Sequence, residues 1–159
     1  MGTLPQLVEE DIRQLDDTLH ELLTRSDATT ALVIDKAGFL ITHVGGRRHF
    51  DLTSIAALAS GAYAANQTIA RLVREENFSS IYQQGQKYSI LATNVDEHCL
   101  LVTIFKATVS VGAVKYFAAP TCARIAEQMK IAHAREPAAG LDLSALNLVD
   151  PSAIFKRRA

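Results

Sequence analysis

The sequence predicts a mixed α/β (α+β) domain in the order α-β-β-α-β-β-β-α, with a five-stranded, mostly antiparallel sheet and helices on both faces. Three observations carry this expectation. Apolar residues recur at helical spacing in three separate stretches. Two short apolar runs flanking "DKAG" form a hairpin between the first and second of those stretches. Three further strand-like runs then follow one another with only brief turn signals between them.

The 159 residues suit one domain with a substantial core, residues 1–135, followed by a tail, residues 136–159. With 48% hydrophobic and 21% charged residues the chain falls among folded soluble proteins rather than disordered ones. Its formal net charge of −1 argues against nucleic acid as the main partner, because phosphate binding needs concentrated lysine and arginine.

Val8, Ile12, Leu15, Leu19, Leu22 and Leu23 predict a first helix over residues 4–25, with Thr3 and Gln6 as a capping box and Glu9, Glu10 and Asp11 suited to its positive end. Ala31–Ile34 and Phe39–Val44 form the hairpin, with Gly38 at the turn. "ALVI" is apolar at successive positions, which predicts cover on both faces. Asp51 is the expected N-cap of the second helix, Leu52–Val73, with Phe50 and Ile55 as a hydrophobic staple. Strands are expected at Phe78–Gln83, Lys87–Val95 and His98–Lys106, broken by Gly85 and by Asp96-Glu97. At Pro120, where the ring removes an N–H and crowds the preceding turn, either one helix kinks or a loop ends and the helix starts; a kinked helix over about residues 110–134 is favoured.

The second helix has two candidate faces. At 100° per residue, Ile55, Leu58, Ala62, Ala65, Ile69, Leu72 and Val73 share an arc that is expected to face the sheet. Ala57, Gly61, Ala64 and Thr68, with Arg71 at the edge, form a neighbouring stripe of small residues. Either the small residues seat the helix closely on its own sheet, or they admit a second chain. The second reading is favoured, because a bulky arc already serves the sheet and a helical glycine costs about 0.5–1 kcal/mol relative to alanine.

Catalytic chemistry finds no support. Walker A, GxGxxG, GxSxG and HExxH patterns are absent, and the five histidines are scattered, so no catalytic, cofactor or metal site is expected. Arg47-Arg48 could be read as an arginine finger, but a solvated loop explains them better. Cys99 and Cys122 lie in apolar settings without CxxC partners, which favours core roles in a reduced compartment. The acidic, amphipathic N-terminus does not read as a signal peptide, and no apolar run approaches a membrane span, so the cytoplasm is expected. In the tail, Leu141, Ala145, Leu146 and Leu148, with Ile154-Phe155 as an anchor, could dock as a peptide; a mobile or self-packed end is the plainer alternative.

"ALVIDKAGFLITHVG", "DLTSIAALASGAYAANQTIARLV", "NFSSIYQQGQKYSILA", "HCLLVTIF" and "SVGAVKY" together resemble the Roadblock (dynein light chain roadblock) domain family, in particular its bacterial MglB type. The likeness covers roughly residues 8–132. It implies the fold above and a homodimer formed through the second helix and the strand that follows it. It also implies a small Ras-like GTPase partner of the MglA type, whose hydrolysis is stimulated by reshaping its switch regions without a supplied catalytic residue, in the service of cell polarity or motility. Carried over, Ala57, Gly61, Ala64, Ala65 and Thr68 belong to the dimer and GTPase-contact region, with Arg71 beside them, while Ile81 and Tyr82 lie on the pairing edge strand. Thr68 stands where the family often has a smaller residue, and the tail is less acidic than the type leads one to expect. A scaffold without GTPase activation, and a sensor-like module with a pocket between sheet and helix, are the alternative functions.

Overall fold

The computed structural model describes residues 4–135, so the tail and the docking residues expected there (Leu146, Leu148, Ile154 and Phe155 among them) lie outside the described residues, as does Thr3. The element order is α1 (Glu9–Ser26), β1 (Thr30–Asp35), β2 (Leu40–Val44), α2 (Leu52–Leu72), β3 (Ser80–Gln83), β4 (Tyr88–Asn94), β5 (Cys99–Lys106) and α3 (Val111–Ala134). The five strands form one sheet in the order β2-β1-β5-β4-β3, and every pairing is antiparallel rather than merely most of them.

Two cores lie on opposite faces of that sheet. On one, Leu15, Leu19 and Leu22 of α1 and Ala118, Ile125 and Met129 of α3 pack on Ala31, Val33, Cys99 and Leu101. On the other, Leu52, Ala56 and Tyr63 of α2 pack on Leu32, Ile34, Leu100, Val102 and Ile104. Alternate residues of β1 and β5 thus serve opposite layers, which is why both strands are apolar at successive positions and covered on both faces up to Phe105. Cys99 and Cys122 are buried, and burial pushes both thiols up to about 12, so they are packing groups rather than nucleophiles.

Helix α1 begins later than its apolar pattern predicts. The Asp11 carboxylate accepts the Val8 N–H at 2.8 Å and fixes the first turn at Glu9. Asp11 is itself completely buried, bonded by Gln128 Nε2 at 2.7 Å and by both terminal nitrogens of Arg135 at 2.7 and 2.9 Å. One carboxylate therefore ties the start of α1 to the end of α3. Helix α3 continues through Pro120 as a single helix. Beside the proline, Thr121 Oγ1 donates to the Phe117 carbonyl at 2.8 Å. Gly38 takes φ +103° at the β1–β2 turn, and a Cβ there would lie 3.3 Å from Ala57 Cα, so the turn presses directly on α2.

Candidate functional site

Helix α2 starts as its sequence predicts. Asp51 accepts the Ser54 N–H at 3.1 Å and the Ser54 hydroxyl at 2.6 Å, which holds its carboxyl below the usual carboxylate range. Phe50 and Ile55 pack against one core cluster, as a staple requires.

The orientation of α2 differs from expectation. The arc of Leu58, Ile69, Leu72 and Val73 does not face the sheet: these side chains are 74%, 47%, 79% and 60% exposed, and Ala65 is exposed with them. The face against the sheet is built from Leu52, Ala56, Ser60, Tyr63 and Ala70. The reason is closeness. Ser60 Oγ donates to the Lys36 carbonyl at 2.6 Å, the Gly38 turn lies on Ala57, and Gln67 makes two bonds to the backbone of Phe78, at 3.1 and 3.2 Å. Small Ala56 and Ser60 keep the middle of that face close to these partners, Leu52 and Tyr63 pack into the core beside them, and Leu58, Ile69, Leu72 and Val73 are left to point outward.

The small residues singled out above, Ala57, Gly61, Ala64, Ala65 and Thr68, are all exposed, and so is Arg71. A Cβ on Gly61 would meet nothing within 4 Å, so the protomer itself supplies no steric reason for that glycine. Around the helix at 100° per residue, Gly61, Ala65, Thr68 and Leu72 straddle the outward pole, with Leu58 and Ile69 on one flank and Ala57 and Ala64 on the other. The two stripes read from the sequence are thus one continuous outer face. Of the 21 residues of α2, Arg71 alone is charged.

Strand β3 is an edge of the sheet, paired on one side only, with β4. Ile81 packs into the α2-side core, whereas Tyr82 faces the α3 side, 38% exposed, its ring stacked on Phe105 at 6.2 Å. Ile81 and Tyr82 therefore mark the edge strand but point to opposite faces. Gln67 holds the connection into β3 through its bonds to Phe78, and Tyr63 adds a hydroxyl bond to the Phe78 carbonyl at 3.3 Å. These residues place the edge strand beside α2, and the sequence reading missed them: a mid-helix glutamine and tyrosine are the signal that could have found them. Leu58, Ile69, Leu72 and Val73 were noticed for the wrong face.

Among the described residues no three histidine, cysteine, aspartate or glutamate side chains gather to hold a metal, and no helix is long and apolar enough to cross a membrane.

The Roadblock/LC7 domain family matches residues 14–105, more than half of the chain, from within α1 to the end of β5. The chain belongs to the Roadblock/LC7 domain family. Three solved Roadblock structures are similar to it over nearly their whole length. An MglB with a tetrameric arrangement is 27% identical, with 83% of this chain and 99% of that one covered and a TM-score of 0.76. The gliding protein MglB of Thermus thermophilus is 27% identical, with 82% and 99% covered and a TM-score of 0.75. MglB of Myxococcus xanthus is 27% identical, with 74% and 96% covered and a TM-score of 0.71. No curated protein sequence matches the chain significantly.

Proposed function

We propose that this Roadblock protein works as a homodimer that regulates a small Ras-like GTPase of the MglA type. The uncovered outer face of α2 carries the proposal. Leu58, Ile69 and Leu72 stand exposed beside Gly61 and Ala64 on a helix with a single charge, an apolar patch with no cover within the protomer. The open edge of β3 beside it is a second feature that a partner chain would satisfy. The likeness to MglB structures supplies the class of partner.

In this reading two α2 helices, related by a two-fold axis, form one platform, so one GTPase binds per dimer. The regulator contributes no catalytic group and is not an enzyme. It raises GTP hydrolysis by binding the aligned switch conformation more tightly than the resting one, since equal affinity would shift nothing. The setting is cytoplasmic, in cell polarity or motility.

The test is single-turnover GTP hydrolysis by a small Ras-like GTPase from the same genome, with this protein titrated in. Acceleration should saturate near two protomers per GTPase, and Ala64→Arg should abolish it while leaving the fold intact. No acceleration by a folded dimer would favour a scaffold without activating function. A sensor-like module has less behind it: the groove lined by Glu9, Glu10, Ile12, Arg13 and Asp16 runs along α1, not between sheet and helix.

A further inference from the structure

Asp11 also decides where the chain leaves α3. Arg135, the last described residue, lays both terminal nitrogens on the Asp11 carboxylate at 2.7 and 2.9 Å. Residues 136–159 therefore set out beside the first turns of α1, on the α1–α3 side of the sheet. The outer face of α2 lies on the other side.

A groove of about 540 Å³ opens at that point, lined by Glu9, Glu10, Ile12, Arg13 and Asp16. Two contacts lay α1 along β2 in the same direction: Thr42 Oγ1 donates to Asp16, and a Cβ on Gly45 would lie 3.4 Å from Leu23 Cδ1. At about 1.5 Å per helical residue and about 3.4 Å per strand residue, Glu9–Arg13 run beside Phe39–Ile41. Strand β2 is an open edge of the sheet, and Phe39 before it is exposed. Ile12, which lines the groove, and Ile41 on β2 are half-buried against the α1-side core, so the floor is apolar. The walls are charged unevenly. Arg13 is engaged by Glu10, whose other oxygen accepts Gln14 Nε2 at 2.9 Å. Three carboxylates against one guanidinium leave the groove net negative.

An apolar residue followed by cations suits such a groove, and residues 136–159 contain that pattern: Ile154 and Phe155, then Lys156, Arg157 and Arg158. The other apolar stretch, Leu141–Leu148, holds Asp142 and no cation, and suits it less well. Residues 136–152 are far more chain than the roughly 10 Å from Glu9 to Asp16 requires. We propose that the chain folds its own segment Ile154–Arg158 into the α1 groove, with Phe155 on Ile12 and the cations against Glu9 and Asp16. The occupant is the same chain because the Asp11–Arg135 clamp starts the segment beside the groove, and a tethered segment meets its site at high local concentration. Docking there keeps the segment away from the α2 surface, so the inference stands apart from the GTPase reading.

The chain has no tryptophan, so Phe155→Trp supplies a single fluorescent reporter. In the full chain its emission should be blue-shifted and protected from acrylamide, down to dilutions at which sedimentation shows monomer. In that background E9K/D16K should shift the emission red and raise quenching several-fold. K156E/R157E should do the same, and combining the two pairs should restore protection. E75K/E76K makes the same charge change at exposed positions just beyond α2 and should have no effect. Should Asp16→Lys unfold the domain by losing the Thr42 bond, E9K/E10K reads the same groove. A tryptophan open to solvent in the parent protein would overturn the proposal, as would protection that groove or segment charge reversal leaves intact. Equal loss in E75K/E76K would do so too. Protection lost on dilution would place the segment on a second copy and overturn it as well.

Discussion

Gly61 gives two assays that must move in opposite directions if α2 carries a partner. Its Cβ position is open, so Gly61→Ala introduces no clash in the protomer. Alanine at an exposed helical position should stabilise the fold by about 0.5–1 kcal/mol. For a domain of this size that corresponds to a Tm rise of roughly 1–4 °C. Leucine, nearly as good a helix former, should act in the same direction. In an assembly whose chains approach closely at Gly61, the leucine side chain has nowhere to go, and overpacking costs about 1–3 kcal/mol at each site. A two-fold interface contains the residue twice, so Gly61→Leu should weaken dimerisation by one to several orders of magnitude. Protomer stability is read by unfolding at concentrations dilute enough to populate monomer, and association by sedimentation velocity over a dilution series. A Gly61→Leu protein more stable than wild type as a monomer but unable to dimerise would meet both expectations. Unchanged association would show that nothing packs closely on this face.

Two further outcomes follow from the geometry. Leu58 and Leu72 are 74% and 79% exposed, and full burial of a leucine is worth about 1.5–3 kcal/mol; Leu58→Ser with Leu72→Ser should therefore weaken self-association strongly in sedimentation while leaving dilute-protein unfolding near wild type. Asp11→Ala should lower stability by about 2 kcal/mol in urea unfolding, because it removes the buried acceptor shared by the Val8 N–H, Gln128 and Arg135 and leaves those donors without it. The Asp11 carboxyl is held below the usual carboxylate range, chiefly by the Arg135 hydrogen bonds and then by those from Val8 and Gln128, against the opposing effect of burial. A depressed folded value means that this stabilisation is complete above the ordinary value of 3.8 and fades as pH falls from about 4 toward the folded value. Wild type should lose its advantage over Asp11→Asn across that acid range, and a constant difference would refute the assignment.

The strand pattern was legible because β1 and β5 are apolar at nearly every position, a feature that only cover on both faces explains. The ends of elements were less so. Asp11, which reads as an ordinary first-turn acid, turns out to be the buried clamp that sets where α1 begins. The phase of α2 was misread for a physical reason. Hydrophobic periodicity finds the bulkiest stripe, and bulk marks the buried face only when the helix has one partner. Here the sheet-facing side is chosen for closeness, through Ala56 and Ser60, and the bulk is turned outward. Ala57, Gly61, Ala64, Ala65 and Thr68 are exposed, and Ile81 and Tyr82 lie on an edge strand, positions that helical and strand periodicity alone do not single out.

If the proposed homodimer forms, folding and assembly are one problem for this chain. A lone protomer holds Leu58, Ile69, Leu72 and Val73 in water along about 21 Å of helix, and the same sequence could have placed those side chains inward by rotating α2. It does not, because the Ser60–Lys36 and Gln67–Phe78 bonds fix the rotation from the sheet side. Those polar contacts specify orientation more than they add stability, since a net hydrogen bond is worth only about 1 kcal/mol. What they secure is an outward apolar surface, which the proposed partner chain would cover. Association must then stabilise the fold by mass action, with apparent stability rising with protein concentration. A protomer that unfolded identically at all concentrations would show that the rotation of α2 serves the protomer alone.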